Sequence, residues 1–527
     1  MKQHKAVGID LGTTFSGLAV INPAGKPEIV PNAEGERTTA SAVFFSPDGP
    51  EFVGQDAVDA AGGYSDRVAR WVKRELGTGW SFSVEAGDGE EGPPSREFSA
   101  IDISAKILLK IKQDAELTLG AIEKAVVTIP AEFSDAARRA TRDAAERAGL
   151  DVLKIINEPT AAALAYASSG QSAGTVLVYD FGGGTFDASV VRINSDKDIE
   201  VLCSNGEKQL GGHDLDLALA EHLSELFQSQ EGVHLLRDGD ANTRHRVIEA
   251  AEKTKKTLSR MEVHTGIPLT YRQGASITCE VTRETFEDLI STHIEKTMMC
   301  VELSLAEAEI EAAAIDDVIL VGGSTRIPAV ERSLVELFGK PPLKSINPDE
   351  AVALGAAIQA AILLKDEADL PNEVIQSMSD FTLSDVAHHS YGTACVEDIF
   401  GTGKLDERND IIIPKGTKIP CSVTKYYQTV SDNQTEINCR VTQGEGEIID
   451  FVDVWKSGVL QVPPGRKAGC EIVVTYSYDA NEIMSCEFKD AESGKVTDFA
   501  LDLQDNQASL AVDESDDIAG LEDLTFE

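Results

Sequence analysis

Val7-Gly8-Ile9-Asp10-Leu11-Gly12-Thr13-Thr14 lies near the start of the chain, and its layout returns at Val178-Tyr179-Asp180-Phe181-Gly182-Gly183-Gly184-Thr185. Each stretch is an apolar strand, an Asp, a glycine turn and a Thr, followed by a second apolar strand (17–21 and 186–193). The repeat predicts two related halves, each offering a β-hairpin whose turn carries chemistry. A glycine hairpin brings backbone N–H groups close to phosphate oxygens because no Cβ blocks the approach. Neighbouring Thr hydroxyls add donors, and an Asp at the strand end can position a hydrated Mg²⁺. Two such hairpins facing each other would grip a phosphate chain from both sides.

Working outward, strand-like apolar runs at 7–9, 125–129, 175–179 and 317–321 alternate with helical spacing at 134–148, 249–258 and 350–364. That alternation predicts an α/β fold with a largely parallel sheet flanked by helices. A third glycine element, Val321-Gly322-Gly323-Ser324-Thr325-Arg326-Ile327-Pro328, follows a strand and precedes a helix. It has neither Walker nor dinucleotide spacing, and Arg326 there offers a guanidinium for stacking on a base. Beyond about Leu370 the pattern changes to period-two runs such as 436–441 and 471–476, punctuated by turns at Pro414-Lys415-Gly416, Asp432-Asn433 and Pro463-Pro464-Gly465. That region predicts a small antiparallel β domain.

The 527 residues exceed what one core supports and predict several domains. With 47 Lys+Arg against 89 Asp+Glu the formal charge is −42, which repels phosphate backbones and anionic lipid. Nucleic acid and membrane are therefore not expected partners. Residues 351–364 are too short to span a bilayer and contain Gln359, so they predict a buried helix. The N-terminus reaches Asp10 without the apolar stretch of a signal peptide. Eight scattered cysteines, without Cys-x-x-Cys or metal spacing, predict free thiols in a reducing cytoplasm.

These motifs, in this order, resemble the Hsp70 chaperone family. The resemblance is carried by Gly8 to Thr14, Asn157-Glu158-Pro159-Thr160-Ala161-Ala162-Ala163, Asp180 to Asp187, Leu210-Gly211-Gly212, Gly322 to Pro328 and Asn347-Pro348-Asp349-Glu350-Ala351-Val352. It implies an actin/hexokinase-like (duplicated ribonuclease-H-like) ATPase domain over 1–370, a linker over 371–386 and a β-sandwich peptide-binding domain over 387–504. An acidic, disordered tail is expected over 505–527, where the family's helical lid would follow.

The resemblance also implies roles. Asp10, Asp180 and Asp187 would organise Mg²⁺ and nearby cations, K⁺ among them, while Gly12, Thr13, Thr14, Gly182, Gly183, Gly184, Gly211 and Gly212 would hold phosphates. Lys73 would orient the attacking water, with Glu158 and Thr185 aligning hydrolysis. Glu252, Lys255 and Ser259, which share one helix face, would hold adenosine opposite Gly322, Gly323, Ser324, Arg326, Ile327 and Asp349. Pro130 and Arg138 match a proline switch and its relay arginine, with Glu132 where the family has an aromatic. In the β domain the peptide pocket would involve Tyr391, Thr393, Val396, Val430, Ile437 and Cys439.

The implied activity is ATP binding and hydrolysis coupled to binding of extended apolar client segments, with J-domain and nucleotide-exchange partners. A small-molecule kinase, a filament-forming relative and a non-cycling regulatory Hsp70-like protein share the phosphate motifs. The β domain argues against the first two, and Lys73, Glu158 and Thr185 against the third. In the linker, Thr382 and Ser384 stand where leucines are expected, which predicts weak docking on the ATPase domain.

Overall fold

A computed structural model describes residues 7–86, 95–170, 173–271, 275–365, 381–387, 389–397, 406–479 and 484–500. The expected acidic tail and the 371–380 part of the linker lie outside the described residues. The chain divides into two compact units: one covers 1–389 with 414–419 and 480–482, the other 390–413, 420–479 and 483–527.

The first unit contains two six-stranded mixed sheets. In the first, Val7–Asp10 pairs antiparallel with Phe15–Ile21 and parallel with Lys124–Ile129, which in turn runs parallel to Asp151–Asn157. The second repeats the plan: Gly174–Phe181 pairs antiparallel with Phe186–Ile193 and parallel with Asp317–Val321. Registers differ instructively. Asp10 sits opposite Gly17, whereas Asp180 sits opposite Asp187, so only the second hairpin carries a carboxylate on both strands. The repeat seen in the sequence is thus a repeat of sheet topology.

Helices Glu158–Ser168 and Ala351–Leu363 are apolar nearly all round and are buried between and against these sheets. Pro159 in the first turn suits the start of the former, because its missing N–H would have no partner there anyway. Small residues let the two helices meet backbone to backbone: a Cβ on Gly355 would lie 1.8 Å from the Ala161 carbonyl oxygen. The helix predicted over 249–258 begins earlier, at Ala241, because the Asp240 carboxylate accepts from the Thr243 N–H at 2.7 Å and caps the start. Among the described residues no helix is long and apolar enough to cross a membrane, and all eight cysteines are free.

The edge of the second sheet holds a finding about Thr382–Val386. This strand pairs parallel with Asp198–Glu207 in the register Asp198↔Thr382 and Glu200↔Ser384. The sequence had Thr382 and Ser384 as losses of apolar docking. Instead, their hydroxyls donate to Asp198 Oδ1 at 2.6 and 3.2 Å, while Phe381 and Leu383 pack on the core. Polar side chains there have a polar partner that lies 184 residues away in sequence.

The second unit is built from two four-stranded antiparallel sheets, ordered 406–413, 391–397, 436–443, 453–461 and 421–428, 471–478, 484–490, 496–500. Tyr391 of one meets Tyr478 of the other edge-on at 5.6 Å, and the Tyr476 hydroxyl donates to the Gly392 carbonyl at 2.7 Å. These contacts give the unit an aromatic core of its own.

Candidate functional site

The two glycine hairpins of the first unit face each other and touch. A Cβ on Gly183 would come within 1.9 Å of Thr14 Oγ1, so no residue but glycine fits that approach without separating the turns. A Cβ on Gly184 would likewise lie 2.5 Å from the Thr13 side chain. The following loop closes in from a third side, with the Gly212 and His213 N–H groups donating to the carbonyls of Gly182 and Gly183, both at 2.9 Å.

Beneath the turns lies a cavity of about 540 Å³. Its walls include Asp10, Gly12, Thr13, Thr14, Lys73, Glu158, Asp180, Gly182, Gly183, Thr185 and Gly212. Glu252, Lys255, Ser259, Gly322, Gly323, Ser324, Arg326, Ile327 and Asp349 line it as well. The residues singled out in the sequence therefore converge, with three exceptions. Gly184 and Gly211 sit behind the turn surface, pressed on Thr13 and on Gly183 respectively, and Asp187 lies beneath, paired with Asp180.

The floor is strongly acidic. Glu158, Asp180 and Asp187 are buried, Asp10 is partly buried beside them, and Lys73 is the buried cation among them. Lys73 Nζ donates to Glu158 Oε1 at 2.5 Å. Burial opposes the lysine's charge, but Glu158, Asp10 and Asp180 outweigh it and hold its pKa above the ordinary value. Burial, then repulsion from Glu158, pushes Asp10 up to about 7. Burial and neighbouring carboxylates also raise Asp180 and Asp187 well above the usual range. Asp180 Oδ2 and both oxygens of Asp187 are buried without a hydrogen-bond partner.

Orphaned carboxylate oxygens with too few cations beside them fit a bound cation. Among the described residues no three His, Cys, Asp or Glu side chains form a ready-made ligand cage.

The Lys255 ammonium donates to the Gly212 carbonyl at 2.7 Å and pairs with Asp216 at 2.8 Å. Arg326, expected to present a flat guanidinium, is held half-exposed by Asp349 Oδ2 at 2.6 Å and Asn347 Oδ1 at 2.7 Å. Arg138 is buried and reaches Asn157 Oδ1 at 3.2 Å.

Several wall residues escaped the sequence reading: Phe15, Trp71, His213 and Asp216. So did Arg74, whose Nε donates to the Gly184 carbonyl at 2.6 Å while its other nitrogens bond Asp214. Asp214 in turn accepts from the Gly211 N–H at 2.7 Å. Only the Gly-x-x-Asp spacing of that cap was visible in the sequence, and it names neither partner.

In the second unit the six peptide-pocket candidates do not share an environment. Tyr391, Thr393 and Cys439 are sealed in the interior, and the Thr393 hydroxyl donates to the Arg440 carbonyl at 2.8 Å. Val396 and Val430 are exposed and Ile437 is half-buried. Of the six expected to form one pocket, Val396, Val430 and Ile437 are the accessible ones in this structure.

The chain thus pairs a carboxylate-floored cleft under two glycine turns with a separate antiparallel β unit. It belongs to the Hsp70 protein family, whose pattern it matches over residues 6–519. It is similar to the chaperone protein DnaK of Thermotoga neapolitana, with 41% identity over 503 residues, covering 94% of this chain and 80% of the relative. DnaK of Thermotoga maritima is equally similar, and that of Thermosipho melanesiensis is 40% identical over 502 residues, or 94% of this chain and 79% of the relative. The chain is an Hsp70-type molecular chaperone and an ATPase.

Proposed function

We propose that the 540 Å³ cavity is the ATP site and that its acidic end carries out hydrolysis. The observation that carries this reading is the contact of the Gly183 turn with Thr14 above a floor of orphaned carboxylate oxygens. In this reading Thr13, Thr14, Gly182 and Gly183 donate to the phosphates. Gly184, Gly211 and Gly212 hold the turns in place. Asp10, Asp180 and Asp187 hold hydrated Mg²⁺, with K⁺ as a further cation; the metal supplies charge compensation on the phosphate oxygens.

Lys73, kept charged by Glu158, orients the attacking water, and Thr185 at the end of the turn aligns it. Such chemistry needs positioning and electrostatic stabilisation more than covalent steps, and buried, oppositely charged groups provide both. Glu252, Lys255, Ser259, Gly322, Gly323, Ser324, Arg326, Ile327 and Asp349 would hold the nucleoside.

On this reading the two mixed sheets are the halves of an actin/hexokinase-like, duplicated ribonuclease-H-like ATPase domain over 1–370. A linker over 371–386 leads to a β-sandwich peptide-binding domain over 387–504. Val396, Val430 and Ile437 are its accessible candidates for contact with extended apolar client segments, which add main-chain hydrogen bonds to a sheet edge. J-domain and nucleotide-exchange proteins are the expected partners, and the cytoplasm the expected compartment.

The test is steady-state ATPase with and without an extended apolar peptide, in Mg²⁺ and in EDTA, with sugar phosphorylation as the counter-screen. Mg²⁺-dependent hydrolysis that peptide accelerates is expected. Phosphate transfer to sugar, or no hydrolysis at all, would refute the assignment.

A further inference from the structure

Trp71 and His213 come from different halves of the first unit and stack on each other in the wall of the cleft. Trp71 lies between the strand Val68–Arg70 and the 3₁₀ turn Val72–Glu75, beside the cleft face that carries Lys73. His213 sits in the first turn of the helix Gly212–Glu231, whose start is pinned to the Gly182 turn. Their ring centroids are 3.9 Å apart with planes 27° from parallel. Both rings line the 540 Å³ cavity, and Trp71 also lines an adjoining cavity of about 610 Å³ that shares Thr13, Thr14, Phe15 and Glu252 with it.

Two further features mark the pair. Trp71 has a φ of 59°, in the left-handed region that a bulky aromatic rarely enters. Such strain persists where surrounding contacts over-determine it, and here those contacts are the stack and Arg70, whose guanidinium lies 4.5 Å above the indole. Burial, followed by the charge of Arg74, lowers the His213 pKa to about 4, so the ring stacks as a neutral imidazole.

Other contacts also cross the cleft, among them Arg70 with Glu252 at 3.5 Å and Arg74 with Asp214. Both pairs are largely buried, so parting the halves breaks the pairing but returns the hydration that burial removed, and the two effects offset. The two ring faces have no such replacement, because exposing them loses both apolar burial and stacking.

We propose that the Trp71–His213 stack is a clasp that must open before a nucleotide can leave the cleft, and that it sets the release rate. The inference rests on the nucleotide reading given above. Trp71 and His213 are positioning residues here, acting on the opening of the cleft and not on the reacting atoms.

The experiment follows release of fluorescent ADP, chased with excess ATP, from the full chain and from Trp71→Ala, His213→Ala, the double variant and His213→Phe. Each alanine variant should release ADP about three- to tenfold faster, the range expected for losing one aromatic pair. The double variant should be no faster than the singles, and His213→Phe, which keeps a stackable ring, should restore slow release. Unchanged rates in both single variants, or His213→Phe releasing as fast as His213→Ala, would overturn the clasp while leaving the nucleotide site standing. Failure of the unaltered chain to bind fluorescent ADP at all would remove the nucleotide reading and the clasp with it.

Discussion

Replacing Asp198 by Ala should undock the 382–386 strand. The carboxylate accepts from Thr382 Oγ1 at 2.6 Å and from Ser384 Oγ at 3.2 Å, and nothing else on the strand replaces it. A hydrogen bond to a charged group contributes about 1.5–3 kcal/mol when buried, and less where water competes. Thr382 is exposed and Ser384 half-buried, so the pair together amounts to about 2 kcal/mol, or ~30-fold in the docked-to-undocked ratio. The backbone pairings 198↔382, 199↔383 and 200↔384 remain, as do Asp385↔Ile419 and Val386↔Lys418 on the other side and the packing of Phe381 and Leu383. The strand should therefore open more often without becoming permanently free.

Amide hydrogen exchange of residues 382–386 reads this directly, since their protection reports the opening equilibrium. Asp198→Ala should lower protection by about that 30-fold, and Asp198→Asn, which keeps one acceptor oxygen, by less. In a Thr382→Leu/Ser384→Leu background, where the donors are gone, Asp198→Ala should change nothing further. Equal protection in the unaltered chain and in Asp198→Ala, or an undiminished effect in the double-leucine background, would refute the reasoning.

Lys73→Ala should cost about 10²-fold or more in ATP turnover with little change in ATP affinity, measured by single-turnover hydrolysis beside equilibrium binding. Equal loss of both would make Lys73 a binding residue. Mg²⁺ should stabilise the fold more at pH 8 than at pH 5. Asp10 is raised to about 7, so without a cation its stability contribution is complete below the ordinary carboxylate pKa and is lost as pH rises through about 7, and burial raises Asp180 and Asp187 in the same direction. Thermal melts in EDTA should fall across that window and melts in Mg²⁺ should not; a Mg²⁺ shift independent of pH would count against a cation site. Gly183→Ala should weaken ATP binding by about tenfold or more, because its Cβ would lie 1.9 Å from Thr14 Oγ1, while far-UV circular dichroism stays the same. Unweakened binding, seen by calorimetry, would mean that the turns need not touch.

The sequence by itself determined the two hairpins, the strand-to-turn placement of Asp10 and Asp180, and the third glycine element. These are local patterns: alternation makes the strand, glycine makes the turn, and the next residues follow from chain connectivity. It also put Glu252, Lys255 and Ser259 on one helix face, because helical spacing is local too. Tertiary structure decided which groups meet. Lys73 and Glu158 are 85 residues apart, Arg74 and Asp214 are 140 apart, and Thr382 and Asp198 are 184 apart. Those pairings depend on sheet register and on how the two halves close over the cleft, which no short window of sequence encodes. For the same reason the sequence does not tell that Tyr391, Thr393 and Cys439, which the family resemblance places in the peptide pocket, have buried side chains while Val396 and Val430 are exposed. A β-strand alternates its faces, and only packing of the opposite sheet decides which face becomes the interior.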